Sequence, residues 1–170
     1  LDIFIRVNSG GTKLSRTDLL MSTITANWKR ARDEVEDFLE NINDKGRKFN
    51  FDIDFIMRTC LVLLDLPILF KVRSFGTKTI NNIKIKWDDI CRAIDETVDL
   101  LVDFGFDGIT LTSRNAVIPI IYYVYKGGRT KDNERKNWKN YLQHTMLTGF
   151  FGSHGDQALA NLRNYLRREN

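Results

Sequence analysis

Apolar residues recur at helical spacing along most of this chain, and this periodicity restricts its fold more than any other sequence feature. One stripe runs from Leu19 to Leu39 and another from Trp87 to Val102. In each, an apolar residue returns every three or four positions, which places these side chains on one face of an α-helix. The stretch from Phe55 to Leu64 is apolar almost all round, which is typical of a helix at the centre of a core. The pattern predicts an all-α protein.

We expect an irregular bundle of about six helices, forming a single helical domain over residues 1–170, with at most one short strand or an extended N-terminal segment. The predicted helices cover residues 15–42, 52–66, 87–104, 115–126, 133–148 and 156–168. Ser15 and Asp18 form a capping-box variant at the first helix, and Gly105 suits the left-handed position after the third. Ser113 is a candidate cap for the fourth. The polar stretch 71–86 is predicted to be a loop.

Two segments leave the choice between helix and strand open. The alternation in GITLTS (108–113) is compatible with one short strand, although nothing nearby offers it a clear partner. The run IPIIYYVY (118–125) is rich in β-branched and aromatic residues, which strands prefer. We favour a helix for the second run, because Pro119 falls near its first turn and no strand-rich context surrounds it.

Composition restricts the class of protein. Hydrophobic residues make up 42% of the 170 and charged residues 28%, as in ordinary globular proteins. No apolar run approaches the roughly 20 residues that a membrane span needs, so we expect no membrane partner. Cys60 and Cys91 have no neighbouring ligand at metal-binding spacing and lie in apolar helical patterns, so both are predicted to be buried free thiols. Free thiols are typical of a reducing compartment, and we expect a cytoplasmic protein.

The positive charge is concentrated in one segment. The net charge is +4, and residues 126–139 contain six cations against two acids, which equals the whole excess. These candidate DNA contacts are Lys126, Arg129, Lys131, Arg135, Lys136 and Lys139. A second basic cluster, Arg163, Arg167 and Arg168, lies near the C-terminus. Dense cations are expected where a protein contacts nucleic acid, although a solvated loop and helix face would look the same.

Few residues indicate chemistry directly. Asn8-Ser9-Gly10-Gly11-Thr12-Lys13 precedes a capped helix, so its backbone N–H groups could face an anion. The spacing of a Walker A motif is absent, and paired glycines before a helix are also ordinary turns. The two histidines, His144 and His154, are too few and too far apart to indicate a metal site, and no catalytic set stands out. We predict no metal site and no catalytic residue in this chain.

A resemblance adds to this interpretation. IFIRVNSGGTKLSRTDLLMS is similar to the motif F-x-R-[IV]-N-x-G-G-x-x-L-S-x-x-[DE]-L of GmrSD-type modification-dependent restriction endonucleases, in their N-terminal, GmrS-like domain. The matching residues are Phe4, Arg6, Val7, Asn8, Gly10, Gly11, Leu14, Ser15, Asp18 and Leu19. Three weaker segments follow in the order of the family, namely FDIDFIMRTCLVLL, LTSRNAVIPIIYYVYK and LTGFFGSHGDQALANL. The last resembles a second family motif through Gly149, Ser153 and Asp156, but has Phe150 where a cation is usual.

The resemblance implies a bacterial or archaeal defence protein that restricts foreign or modified DNA. In such proteins a ParB-like portion with an Asp-Gly-Gln-Gln-Arg signature, linked to NTP hydrolysis, precedes a helical portion, and many carry an HNH-type nuclease domain. Neither the signature nor a nuclease motif occurs in these 170 residues. We therefore expect this chain to be the C-terminal helical part of a larger GmrS-like domain and to be inactive alone. The implied cofactors are an NTP, with Mg²⁺ as a further candidate, for the full-length protein only. The implied partners are DNA, modified or not, the upstream portion and a nuclease domain of the same protein.

The resemblance also indicates candidate site residues. Arg6, Asn8, Gly10, Gly11 and Ser15 would form the rim of a nucleotide or phosphate site, and Gly149, Ser153 and Asp156 would form a second segment near it. In the alternative interpretation, both segments are only turns and helix caps, and the chain is a non-catalytic binding or scaffolding module.

Overall fold

The computed structural model describes residues 15–68, 71–152 and 155–169, and these residues form eight α-helices and two short 3-10 helices with no strand among them. The α-helices are α1 (Arg16–Thr25), α2 (Ala31–Asn43), α3 (Ile53–Leu63), α4 (Thr77–Ile85), α5 (Trp87–Asp103), α6 (Ile118–Tyr125), α7 (Asp132–Thr148) and α8 (Gly155–Glu169). The 3-10 helices are Val72–Ser74 and Arg114–Val117. The all-α prediction is confirmed, with more helices than the six expected.

α6 lies at the centre of the helices. Ile118 to Tyr122 are all buried, and α6 packs against α3, α5 and α8. The run IPIIYYVY is therefore a helix, as favoured, because a segment apolar on every side is stable where other helices surround it. A 3-10 turn precedes it, and Ser113 makes no side-chain cap there, so the predicted cap is wrong.

α3, α6 and α8 run in the same direction. Near their starts, Arg114 of the 3-10 helix contacts Asp52, and Arg58 contacts Asp156. Near their ends, Lys126 and Arg167 both contact Asp65, which follows α3. The first two contacts join the starts of the helices, and the last two join their ends. The amino ends of the three helices therefore lie together at one side, and their carboxyl ends lie together at the other.

The single helix predicted over 15–42 is wrong, because residues 26–30 separate α1 from α2. At the end of α1 the Thr25 hydroxyl donates to the Met21 carbonyl, and such side-chain bonds compete with helix continuation. The break turns Trp28 into the core, where its ring meets Trp87 edge-on at 5.2 Å. This contact buries Trp28 and favours the break.

Two other expectations are corrected. The stretch 71–86 is not a loop, since it contains a 3-10 turn and α4, which buries Ile80 and Ile83. No described residue of 108–113 forms a strand, because the Asp107 carboxylate accepts hydrogen bonds from the Ile109 and Thr110 N–H groups and so stabilises a turn. The expected extended N-terminal segment lies outside the described residues.

Several local predictions are confirmed. The Ser15 hydroxyl accepts from the Asp18 N–H at 3.0 Å, and the Asp18 carboxylate accepts from the Ser15 N–H at 3.3 Å. Gly105 adopts a φ of +85° at the end of α5. Cys60 and Cys91 are free thiols, but only Cys60 is fully buried and Cys91 is partly exposed. No helix in the described ranges is long and apolar enough to cross a bilayer.

Candidate functional site

Polar and charged side chains gather where the starts of α3, α6 and α8 meet. Arg114 donates from Nη1 to the Asp52 carboxylate at 2.5 Å and to the Asn50 carbonyl at 2.9 Å. Arg58, in the second turn of α3, forms an ion pair with Asp156 in the first turn of α8. Gly155 allows the start of α8 to lie close to Asn115, because a Cβ at position 155 would be 3.0 Å from the Asn115 side-chain amide nitrogen.

The first helix reaches the same place. Thr17, in the first turn of α1, donates to the Asp54 carboxylate at 3.1 Å. Asp54 and Arg58 lie one helical turn apart on α3, so they share a face. The helix that Ser15 caps and the segment that contains Asp156 therefore contact neighbouring residues of one helix, although about 140 positions separate them in sequence.

A cleft of about 320 Å³ opens between α3 and the 3-10 helix before α6. It is lined by Asp52, Asp54, Phe55, Arg58, Thr112, Ser113, Arg114 and Asn115. The lining is mainly polar, with two guanidinium groups and two carboxylates. We call it the amino-end cleft.

Cationic and acidic side chains lie close together at the amino-end cleft. Burial lowers the pKa of Arg58, the carboxylates of Asp54 and Asp52 act in the opposite direction, and the charge of Arg16 lowers this pKa further. Arg16 and Arg58 are thus near enough to interact. The starts of α3 and α8 add partial positive charge from their first N–H groups. Asp52, Asp54 and Asp156 equal Arg16, Arg58 and Arg114 in number, so the formal side-chain charges balance.

The amino-end cleft carries donor groups of the kind that bind phosphate oxygens. Guanidinium groups bind phosphate through paired N–H donors, and helix starts present backbone N–H groups to anions. Both the guanidinium groups and the carboxylates are already engaged, Arg58 with Asp156, Arg114 with Asp52, and Asp54 with Thr17. Within the described ranges no three His, Cys, Asp or Glu side chains are grouped closely enough to hold a metal ion.

The predicted site residues divide into two groups. Arg6, Asn8, Gly10, Gly11 and Ser153 lie outside the described residues. Of the others, Ser15 caps α1, and Gly149 ends α7 in the left-handed conformation with φ +61°. Asp156 is the member of the second motif that reaches the amino-end cleft, through Arg58.

Cations of the basic segment 126–139 pair with acids in different parts of the fold. Tyr125 and Asp89 line a common cavity, which places the end of α6, and with it Lys126, beside the start of α5. Arg135 instead pairs with Asp103 at the end of α5, at 2.7 Å, and the Lys139 ammonium lies 5.9 Å from the Phe104 ring centre. Lys126 itself pairs with Asp65 after α3, while Tyr123, one turn before it, packs on Trp138 beside Lys139, with ring centres 5.4 Å apart.

Sequence reasoning missed Arg58 and Arg114. Arg58 is the only cation within α3, which is otherwise mainly apolar. A single arginine in a buried helix needs a partner, and this could have identified it. Arg114 has no such signal, because it precedes α6 among ordinary polar residues and its role depends on how α6 lies against α3.

A comparison of the sequence with models of known protein families gave no match, and a comparison with curated proteins gave none either.

Proposed function

We propose that this chain forms the helical portion of an NTP-dependent DNA restriction protein, in which it contributes one rim of a nucleotide site and a basic surface for DNA. The proposal rests on one observation. Two segments that resemble family motifs contact neighbouring residues near the start of α3. Thr17, two residues after Ser15, contacts Asp54, and Asp156 contacts Arg58. Segments that are far apart in sequence and both resemble motifs of one family would be expected to meet if they served one site.

In this proposal Arg58 and Arg114 neutralise phosphate charge at the amino-end cleft. Both guanidinium groups bind carboxylates of the chain, Asp156 and Asp52 respectively. An arriving phosphate would replace one carboxylate at each arginine, because guanidinium groups bind phosphate and carboxylate through the same paired N–H donors. In this proposal the catalytic groups for hydrolysis come from the upstream portion that the resemblance implies.

The same contacts support a second candidate function, a non-catalytic scaffolding module. If the two ion pairs only hold α3, α6 and α8 together, the arginines have no task beyond packing. The two functions predict different responses to nucleotide, because only the first gives Arg58 and Arg114 a ligand.

Calorimetric titration with ATP and with GTP separates them. We expect binding by this chain in the millimolar range, and a decrease of about tenfold in affinity for Arg58→Gln or Arg114→Gln, as for one charged hydrogen bond. Arg92→Gln is the matched control, since it removes the same charge from an exposed position on α5. Thermal melts of each variant report whether it is folded. Folded Arg58 and Arg114 variants that bind like the wild type would exclude the nucleotide site and leave the scaffolding function.

A further inference from the structure

The carboxyl ends of α3, α6 and α8 gather cations from two separate parts of the sequence. The Lys126 ammonium lies 2.9 Å from one Asp65 oxygen, and Arg167 Nε lies 3.8 Å from the other. Arg163, one turn before Arg167, donates to the Leu66 carbonyl at 2.6 Å. The basic cluster near the C-terminus therefore joins Lys126 rather than the remainder of the basic segment. We call Lys126, Arg163 and Arg167 the carboxyl-end patch.

Asp65 organises the carboxyl-end patch. It adopts a φ of +57°, and its carboxylate also accepts from the Tyr122 hydroxyl at 3.0 Å. Burial by itself raises the pKa of Asp65, but hydrogen bonds from Lys126 and Tyr122 and the charges of Lys126 and Arg167 lower it below its usual value. The ionised carboxylate therefore holds two cations side by side at the surface.

The patch carries more positive charge than its structural contacts balance. Cations near helix carboxyl ends stabilise the helix dipole, and Arg163 has that role at α3. However, Lys126 and Arg167 share one carboxylate, and their side chains are 33% and 56% exposed. With Arg163 the patch has three cations for one acid, so it presents a net positive surface to a partner.

We propose that the carboxyl-end patch binds the phosphate backbone of duplex DNA. This inference rests on the proposed function and changes where the DNA contact lies, from the whole segment 126–139 to Lys126 with Arg163 and Arg167. The Lys126 ammonium lies 5.1 Å from the Tyr122 ring centre and 5.7 Å from that of Tyr125, and Tyr165 is 61% exposed between Arg163 and Arg167. Such cations suit phosphate contact that does not read sequence. A membrane-binding helix would expose a continuous apolar face beside its cations, whereas Leu159, Leu162 and Leu166 of α8 pack inward and Tyr165 is the one large apolar side chain exposed among the described residues of α8.

The patch and the amino-end cleft lie at opposite ends of the same helices. Asp52 and Asp65 are 13 residues apart, which corresponds to about 20 Å along α3. DNA and nucleotide can therefore be bound at the same time without competing for one set of arginines.

The test measures binding of short duplex DNA by fluorescence anisotropy over a salt series of about 50 to 200 mM. Lys126→Gln with Arg167→Gln should weaken binding and reduce the salt slope by about two, one for each phosphate that these side chains no longer neutralise. The matched control is Lys131→Gln with Lys136→Gln, which removes the same charge from exposed positions and should leave the slope unchanged. Asp65→Asn should tighten binding about threefold, because it removes a negative charge from the patch.

Asp65→Asn also distinguishes an effect on DNA binding from an effect on protein stability. A purely structural cluster predicts a less stable protein with no gain in DNA affinity, so a gain supports the proposal even if the double variant is unstable. Weaker binding in the 131/136 control alone would overturn the inference while leaving DNA binding intact. No DNA binding by the wild type would contradict the DNA part of the proposed function as well. Patch variants that lose binding to phosphatidylserine vesicles while DNA binding is unchanged would assign the surface to membranes and overturn the inference.

Discussion

Arg58 of α3 forms an ion pair with Asp156 of α8, and this pair joins the start of a buried helix to a motif 98 positions later in the sequence. Arg58 is only 20% exposed and Asp156 is 45% exposed. The pair is thus better shielded than an ordinary surface salt bridge, and it connects the amino-end cleft to the last helix of the bundle.

Replacing Asp156 by Asn should lower the free energy of unfolding by about 1 kcal/mol, the upper value for partly exposed pairs. Urea denaturation measures this difference. Asp44→Asn is the control, because its pair with Lys48 is exposed and should contribute almost nothing. Equal effects of the two substitutions would mean that the Arg58 pair does not help to hold α8.

Trp28→Ala should destabilise the protein by about 3–5 kcal/mol, as for other buried aromatic side chains. Trp28 is 3% exposed and packs on Trp87, so its removal leaves a cavity between the α1–α2 turn and α5. Denaturant unfolding followed by circular dichroism gives the value. A destabilisation below about 1 kcal/mol would contradict the explanation given for the break between α1 and α2.

Asp65→Asn should destabilise the protein at neutral pH and much less in acid. The folded pKa of Asp65 lies below its unfolded value, so its ionised form contributes stability above the unfolded pKa of about 4. That contribution is lost as the pH falls through the folded pKa. Asn suits this position because it tolerates positive φ. Urea denaturation at neutral pH and near pH 3 measures the change, and a difference independent of pH would contradict it.

The two thiols should differ in reactivity while the protein is folded. Burial raises the pKa of Cys60 strongly, and burial with nearby acids raises the pKa of Cys91 to about 12. We expect slow labelling of Cys91 by a maleimide at pH 8, slower labelling of Cys60, and rapid labelling of both in denaturant. Mass spectrometry of the labelled peptides measures the two rates. Faster reaction of Cys60 would contradict its burial in α3.

The sequence predicted most helices because their apolar stripes repeat over three or more turns. It failed where tertiary packing decides local structure. Residues 26–30 break a continuous helical pattern because Trp28 finds a better contact on Trp87. α4 has only two buried residues, Ile80 and Ile83, which is too weak a pattern to recognise in a polar stretch.

The candidate site was predictable only in part. The family resemblance pointed to Ser15 and Asp156, yet their link through Asp54 and Arg58 depends on the parallel alignment of α3 and α8. The acidic partners of the basic segment were not predictable for the same reason, because Lys126 pairs with Asp65 after α3 and Arg135 with Asp103 of α5. Local charge density could not reveal that Lys126 shares Asp65 with Arg167.

The most direct test of the nucleotide-rim proposal is a backbone amide NMR titration of this chain with ATP. The proposal predicts that the resonances of Ile53, Asn115 and Gly155, at the starts of three helices, shift together, and that Arg58→Gln raises the ATP concentration needed for these shifts about tenfold. Shifts at Lys126 and Arg167 without any change at the three helix starts would contradict it.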